Sequence, residues 1–445
     1  MFKPTAALRA ALARAHPLVF TLAAGVAGFS AYFAMYAFRK PFSAATFDAV
    51  PGWGFALDYK IALVLAQVAG YALSKFIGVK VVSEIQPRHR AAAILALIGG
   101  SWLALVGFAL VPAPWNVLAL FLNGLPLGMI WGLVYGFMEG RRVSEALASM
   151  LCASFILSSG VVKSIGVWMM QTLHVDRFWM PAGVGLLFLP LLLVSVWVLN
   201  ALPPPNARDE AERVRRAPMT AAERGAFLKA YGPGLFAIVF AYVLLTAFRD
   251  YRDNFAAEVW RALGFGGEAS IFSASELPVA VIALVGMGAV IVVKNNQRAL
   301  LVIHAMVAGG CALIGLSTLA FQAHLISPLV WMILAGSGLY VAYNPVNAVL
   351  FDRMVAASGR TGTAGFLIYV ADSCGYLGSV AVLLWRNFAQ GGMDWLQFFI
   401  MGAYVTSVVG TAATVLAGVY FYRRFAVAGS HPVGPATAAI LSVDG

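Results

Sequence analysis

The sequence predicts an all-α membrane protein: twelve transmembrane helices arranged as two pseudo-symmetric six-helix bundles. Three observations predict it. Of 445 residues, 61% are hydrophobic and only 11% are charged, with a mean hydropathy of +0.84, whereas a soluble domain carries about 25% charged residues. The apolar runs are continuous over roughly 20 residues, the length one helix needs to cross hydrocarbon, and they do not alternate. Backbone groups cannot stay unpaired there, so each run must be a helix. Finally, the single long polar stretch, "PPPNARDEAERVRRAPMTAAERGAFLKAYGPG", divides the runs six and six.

The spans read in order as follows. The first, 18–40, ends in "AYFAMYAFRKPF". The second, 60–80, carries "QVAGYALSKFIGV", and the third, 91–111, follows the basic loop "GVKVVSEIQPRHR". The fourth, 115–137, runs into "EGRR" from Glu139; the fifth, 146–170, holds "SSGVVKSIG"; the sixth is 180–200. After the linker, the seventh, 232–254, ends in "FRDYRDNF", and the eighth, 271–293, opens with "SASELPVAV". The ninth is 299–320, the tenth, 328–351, contains "YVAYNPVN", the eleventh, 362–385, contains "YVADSCGY", and the twelfth is 396–421. The chain thus divides into a tail (1–16), a bundle (17–200), a linker (201–230), a second bundle (231–425) and a second tail (426–445). The Ala/Arg-rich first sixteen residues read as a cytoplasmic tail rather than a transit peptide.

Charge sets the expected orientation. Twenty of the thirty Lys and Arg fall in segments on the side of the termini, and four (Lys60, Arg177, Arg261, Arg386) fall on the other side. That bias places both termini, the linker and both tails in the cytoplasm, in a cell (inner) membrane. The net charge of +11 is scattered through short loops and does not suggest nucleic acid. Cys152, Cys311 and Cys374 all lie in apolar runs and read as small hydrophobes, with no metal-ligand spacing.

The chain also echoes itself. "AYFAMYAFRKPF" aligns with "AYVLLTAFRDYR" at an offset of 210, pairing Tyr32 with Tyr242 and Arg39 with Arg249. A second echo pairs "EGRR" with "FDRM" from Phe351. Two six-span halves related by an axis along the membrane normal are a transporter architecture.

Charged residues inside spans are costly and mark solute or ion paths. Tyr32, Tyr36 and Arg39 share a helix face, and apolar residues after Pro41 suggest that the helix continues past Arg39 into the bilayer. Gln67, Tyr71 and Lys75 share a face of the second span; Lys163 shares one with Ser159 in the fifth, and Glu139 or Asp372 are its candidate structural partners. Arg39, Lys75, Lys163 and Arg249 are therefore the candidate anion-binding cations, with Tyr32 and Tyr36 shaping the pocket. Asp250, Arg252 and Asp253 have the spacing for pairing within the seventh helix, Arg249 with Asp253 among them. Glu276 and Asp372 are candidates for a coupling proton or for pairing with a cation. Asp253 and Asn344 are further coupling or gating candidates, Asn344 beside the kink-forming Pro345. Cations outnumber acids in this set, and a guanidinium matches phosphate or carboxylate in bidentate fashion. No nucleotide-binding, hydrolase or metalloprotease signature occurs, so the chain reads as no enzyme, without cofactor or metal, and driven by a gradient.

The plan resembles the major facilitator superfamily. Within it, "YFAMYAFRKPF" and "YALSKFIG" resemble the organophosphate:phosphate antiporter family, whose first helix is Tyr-rich and ends in an Arg-Lys pair. The resemblance implies that Arg39 and Lys75 contact a phosphate moiety and that Arg249 faces Arg39 from the second half. The chain departs from that family in three places. The family's seventh-helix arginine aligns nearer Leu245, Lys163 stands where the family has a histidine, and Glu84 replaces the aspartate of the superfamily's second-loop pattern. The expected function is secondary active transport of a small anionic solute (a phosphate ester, phosphate or carboxylate) by a monomer in the lipid bilayer. The alternatives are a ligand sensor without transport, and a proton symporter of a neutral or cationic solute.

Overall fold

The computed structural model describes residues 6–138, 144–204, 221–358 and 365–429. The "EGRR" segment with Glu139, most of the expected linker and most of the expected C-terminal tail lie outside the described residues. Twelve helices are long and apolar enough to cross a membrane. The first half holds α1 (Pro17–Tyr36), α2 (Tyr59–Gly78), α3 (Pro87–Leu110), α4 (Asn116–Tyr135), α5 (Met150–Thr172) and α6 (Met180–Ala201). The second holds α7 (Ala222–Asn254), α8 (Ser270–Val292), α9 (Asn296–Gln322), α10 (Pro328–Ala357), α11 (Leu367–Phe388) and α12 (Trp395–Phe425). An even number of spans puts the start of α1 and the end of α12 on one side, the terminal face; the opposite side is the far face.

Local chemistry sets the boundaries. His16 Nδ1 accepts from the Leu18 amide at 3.3 Å ahead of Pro17 in the first turn of α1. Asp58 caps α2 by accepting from the Ile61 amide at 3.0 Å, and Asn295 caps α9 through Arg298 at 2.9 Å. The expectation that the first helix runs through Arg39 is corrected: α1 stops at Tyr36. Pro41 cannot donate to the carbonyl four residues back and its ring collides with it. The chain therefore turns at 37–40 and makes a short 3₁₀ helix, Pro41–Ala44, fully buried. In α10, Pro345 is followed by a π-helical turn, Val346–Leu350, the kind of insertion a missing N–H tolerates.

Two helical stretches lie outside the expected spans. The helix that contains α7 starts at Ala221, inside the expected linker, where Ala, Glu and Arg favour helix outside the membrane. A short helix, Ala6–Arg14, lies within the expected N-terminal tail.

Within the first half α2 packs on α4 and α1 on α5 and α6; within the second α9 packs on α10 and α12, and α7 on α11 and α12. The halves meet along two seams, α5 with α8 and α2 with α11. The α5–α8 seam is tight. A Cβ on Gly160 would sit 2.6 Å from the Phe272 carbonyl oxygen, so only glycine permits this approach.

Candidate functional site

A cavity of about 430 Å³ lies between the two halves. The first half contributes Tyr32, Tyr36, Arg39, Lys40, Tyr71 and Lys75; the second contributes Arg249, Asp250, Asp253, Tyr340, Tyr343, Asp372 and Tyr376. Toward the terminal face the lining continues through Val82, Trp131, Tyr135, Asn347 and Asp352.

Arg39 projects from the turn after α1. Its Cζ lies 3.8 Å from the centroid of the Tyr71 ring and 5.8 Å from that of Tyr36. Tyr71 is twelve residues into α2, about 18 Å along the helix from Tyr59 at 1.5 Å per residue. The guanidinium is therefore deep in the bundle and not at a rim. The turn is held by amides: Gln67 Nε2 donates to the Arg39 carbonyl at 2.9 Å and to Asn123 Oδ1 at 2.7 Å, while Asn123 Nδ2 donates to the Phe38 carbonyl at 2.9 Å. No described carboxylate lies within ion-pair distance of Arg39, and its buried Nε has no hydrogen-bond partner.

The second half mirrors the stacking. The Arg249 Cζ lies 4.4 Å from the Tyr343 ring centroid. Here, however, the charge is neutralised locally: Arg249 donates to Asp250 Oδ1 through Nε at 3.1 Å and Nη2 at 2.7 Å, and Ser379 donates to the other Asp250 oxygen at 2.7 Å. Lys75 crosses between the halves to Asp372 at 2.7 Å, close to the rings of Tyr71 and Tyr376. Asp372 also accepts from the Tyr242 hydroxyl at 2.8 Å.

The ceiling is built from ion pairs between the halves. Asp253 accepts from Lys40, Lys163 and Ser159, and Lys40 also donates to Asn254 Oδ1 at 2.9 Å. Nearer the far face, buried Lys60 reaches both oxygens of Glu258 at 2.6 and 2.7 Å and the Ser43 and Ala45 carbonyls. At the surface Arg261 makes a bidentate pair with Asp48 at 2.7 and 3.0 Å. Arg261 beside it holds the Asp48 carboxyl below its usual pKa. Apart from Lys75–Asp372, the ion pairs between the halves among the described residues thus cluster on the far side, and the cavity extends toward the terminal face.

Several sequence expectations are placed differently. Arg39, Lys75, Arg249, Tyr32 and Tyr36 line this cavity together. Lys163 does not; it is 3% exposed and tied to Asp253 in the ceiling rather than to Asp372. The expected Arg249–Asp253 pairing within the helix is replaced by Arg249–Asp250, because Asp253 points across to the first half. Glu276 is partly buried, pairs with the buried Arg252 at 2.6 Å and does not line the cavity. Asn344 is buried behind the lining, whereas Asn347 in the π turn reaches it. Leu245 is fully buried. The lining carries Arg39, Lys40, Lys75 and Arg249 against Asp250, Asp253, Asp352 and Asp372, so the expected excess of cations is absent from the lining itself. Sequence reasoning missed Lys40, Asp250 and Tyr343 as lining residues. Lys40 had a signal in its adjacency to Arg39, and Tyr343 in its place beside Pro345.

Comparison with solved structures places the fold. The chain is similar to a D-xylose-proton symporter (TM-score 0.59, 15% identity, covering 91% of this chain and 97% of that one). It is also similar to the nucleoside transporter NupG (0.57, 12%, 91% and 99%) and to the peptide transporter POT in complex with sulfate (0.58, 14%, 91% and 95%). These are membrane transporters rather than enzymes, and the architecture is the major facilitator fold of a multi-pass membrane protein. No curated protein sequence matches the chain. A family profile matches residues 41–424, and with that span covered the chain belongs to DUF5690, a family of unknown function.

Proposed function

We propose that this protein is a secondary transporter that moves a small anionic solute, a phosphate ester, phosphate or carboxylate, by alternating access. The observation that carries this reading is Arg39: a guanidinium deep in the bundle, lining the cavity, stacked on Tyr71 and with no carboxylate partner among the described residues. A cation in that position is costly, and an anionic solute offsets the cost. Arg249 faces the same space from the other half, balanced by Asp250. A bound anion competes with Asp250 for Arg249 and bridges the halves through two arginines. Alternating access then consists of rocking the halves, with the Lys60–Glu258 and Asp48–Arg261 pairs breaking as the far side opens. The resemblance of the first two helices to organophosphate:phosphate antiporters makes phosphate esters the first class to test. The loop charges favour an inner membrane with both termini in the cytoplasm.

The test is uptake and counterflow of labelled phosphate, sugar phosphates and dicarboxylates in proteoliposomes, with Arg39→Lys and Arg249→Lys as variants. Saturable flux that falls in both is expected; unchanged flux in both overturns the assignment. A second reading, proton symport of a neutral or cationic solute, is favoured by the cross-bundle Lys75–Asp372 pair, because protonating Asp372 releases it. Competition by cationic solutes together with loss of uptake in Asp372→Asn marks that case.

A further inference from the structure

The two seams between the halves are related by the bundle repeat, yet they differ. Along α5–α8 the helices touch at Gly160 and Phe272, and Ser164 and Ser273 share a hydrogen bond of 2.7 Å. Along α2–α11 there is instead an apolar pocket of about 250 Å³, walled by Val68, Ala72 and Phe76 on one side and by Leu377 and Val380 on the other. Phe76 and Leu377 are 66% and 69% exposed on the outer, lipid-facing surface of spanning helices. Lys75, Tyr369, Asp372 and Tyr376 line both this pocket and the central cavity. The groove is thus apolar along its length and meets charge only at its inner end, beside the Lys75–Asp372 pair and the ring of Tyr71 that carries Arg39.

We propose that the α2–α11 groove is a second subsite, which takes the alkyl chain of an amphiphilic anion whose charged head sits at Arg39 and Lys75 in the cavity. This rests on the anion reading above and narrows the solute to an amphiphile. At roughly 30 Å³ per carbon, close to the volume share of a water, the groove holds a chain of about eight carbons. A small hydrophilic anion would leave it unfilled, and a cationic head would meet Arg39 without compensation.

The full-length protein in nanodiscs is photolabelled with octyl phosphate bearing a terminal diazirine. Labelling is competed with n-alkyl phosphates from methyl to octyl at equal free aqueous concentration. The expected label maps to α2 and α11 around Phe76 and Leu377. Competition strengthens with chain length, by at most roughly fourfold per buried methylene and by at least about tenfold from methyl to octyl. Ala72→Trp and Leu377→Trp fill the groove from opposite walls, so one remains informative if the other misfolds; either brings the octyl-to-methyl ratio close to one. If methyl phosphate competes and octyl phosphate is no better, the tail subsite is wrong while the anion reading stands. If octyltrimethylammonium competes as well as octyl phosphate, the anion reading falls and the proposal with it. Label that no alkyl phosphate displaces means that bilayer lipid alone fills the groove, and overturns the subsite.

Discussion

The Arg39 guanidinium sits over the Tyr71 ring, 3.8 Å from Cζ to centroid, in a cavity between two six-helix bundles. Across that cavity Arg249 sits over Tyr343 at 4.4 Å. The two arginines share a platform chemistry and differ in one respect: Asp250 balances Arg249, and no described carboxylate balances Arg39.

Arg39→Lys keeps the charge but loses the planar stack and the two-pronged donor. A desolvated cation–π contact is worth up to about 2 kcal/mol, roughly thirtyfold in affinity. Anion affinity in Arg39→Lys therefore falls by about that factor. Tyr71→Phe, which keeps the ring, stays within a few-fold of wild type, and Tyr71→Leu follows Arg39→Lys. Equilibrium binding to the purified protein checks the ordering.

The Lys60–Glu258 pair is buried on both sides. Removing one partner of such a pair costs about 3–5 kcal/mol, whereas replacing both with apolar groups is often neutral. Lys60→Met lowers the thermal unfolding midpoint in detergent, and Lys60→Met/Glu258→Met recovers most of the loss. A double variant as unstable as the single one contradicts this account of the seal.

Asp48–Arg261 is a surface pair, worth at most about 1 kcal/mol. The hydrogen bond from Arg261 depresses the Asp48 pKa in the folded protein. Its contribution is therefore fully present above the unfolded carboxylate value, about 3.9, and is lost as pH falls through the lower folded value. The stability difference between wild type and Asp48→Asn is accordingly flat from neutral pH to about pH 5 and shrinks in more acidic buffer. A difference that grows with acidity runs against this linkage.

Gly160 lets α5 approach α8, and a Cβ there meets the Phe272 backbone oxygen. Gly160→Ala pries this seam open. Disulfide formation between Ser164→Cys and Ser273→Cys, whose hydroxyls lie 2.7 Å apart, slows in that background and transport falls with it. Unchanged crosslinking would show that the seam tolerates a methyl group.

Much of this arrangement was legible in the sequence, and the reasons are local. Hydropathy marked all twelve spans. The repeat at an offset of 210 singled out Arg39 and Arg249, and i, i+4 spacing set Tyr71 above Lys75. Tertiary pairing was not legible. Asp253 draws Lys40 and Lys163 from the turn after α1 and from α5, and nothing within a helical turn of Asp253 announces either lysine. Lys163 and Glu276 each read in sequence either as solute- or proton-facing or as paired with a neighbouring charge, because a charge inside a span looks alike whether its partner is a ligand or the next helix. Sequence extends α1 too far because hydropathy continues past Pro41 although the hydrogen-bond ladder cannot.

The most direct test of the central claim, that Arg39 and Arg249 jointly hold an anion between the bundles, is counterflow of labelled phosphate and phosphate esters in proteoliposomes with wild type, Arg39→Gln and Arg249→Gln side by side. Saturable counterflow of at least one of these anions by the wild type, abolished in both variants while each stays folded and monodisperse, is the predicted result. Counterflow that persists at wild-type rates in both variants would contradict it.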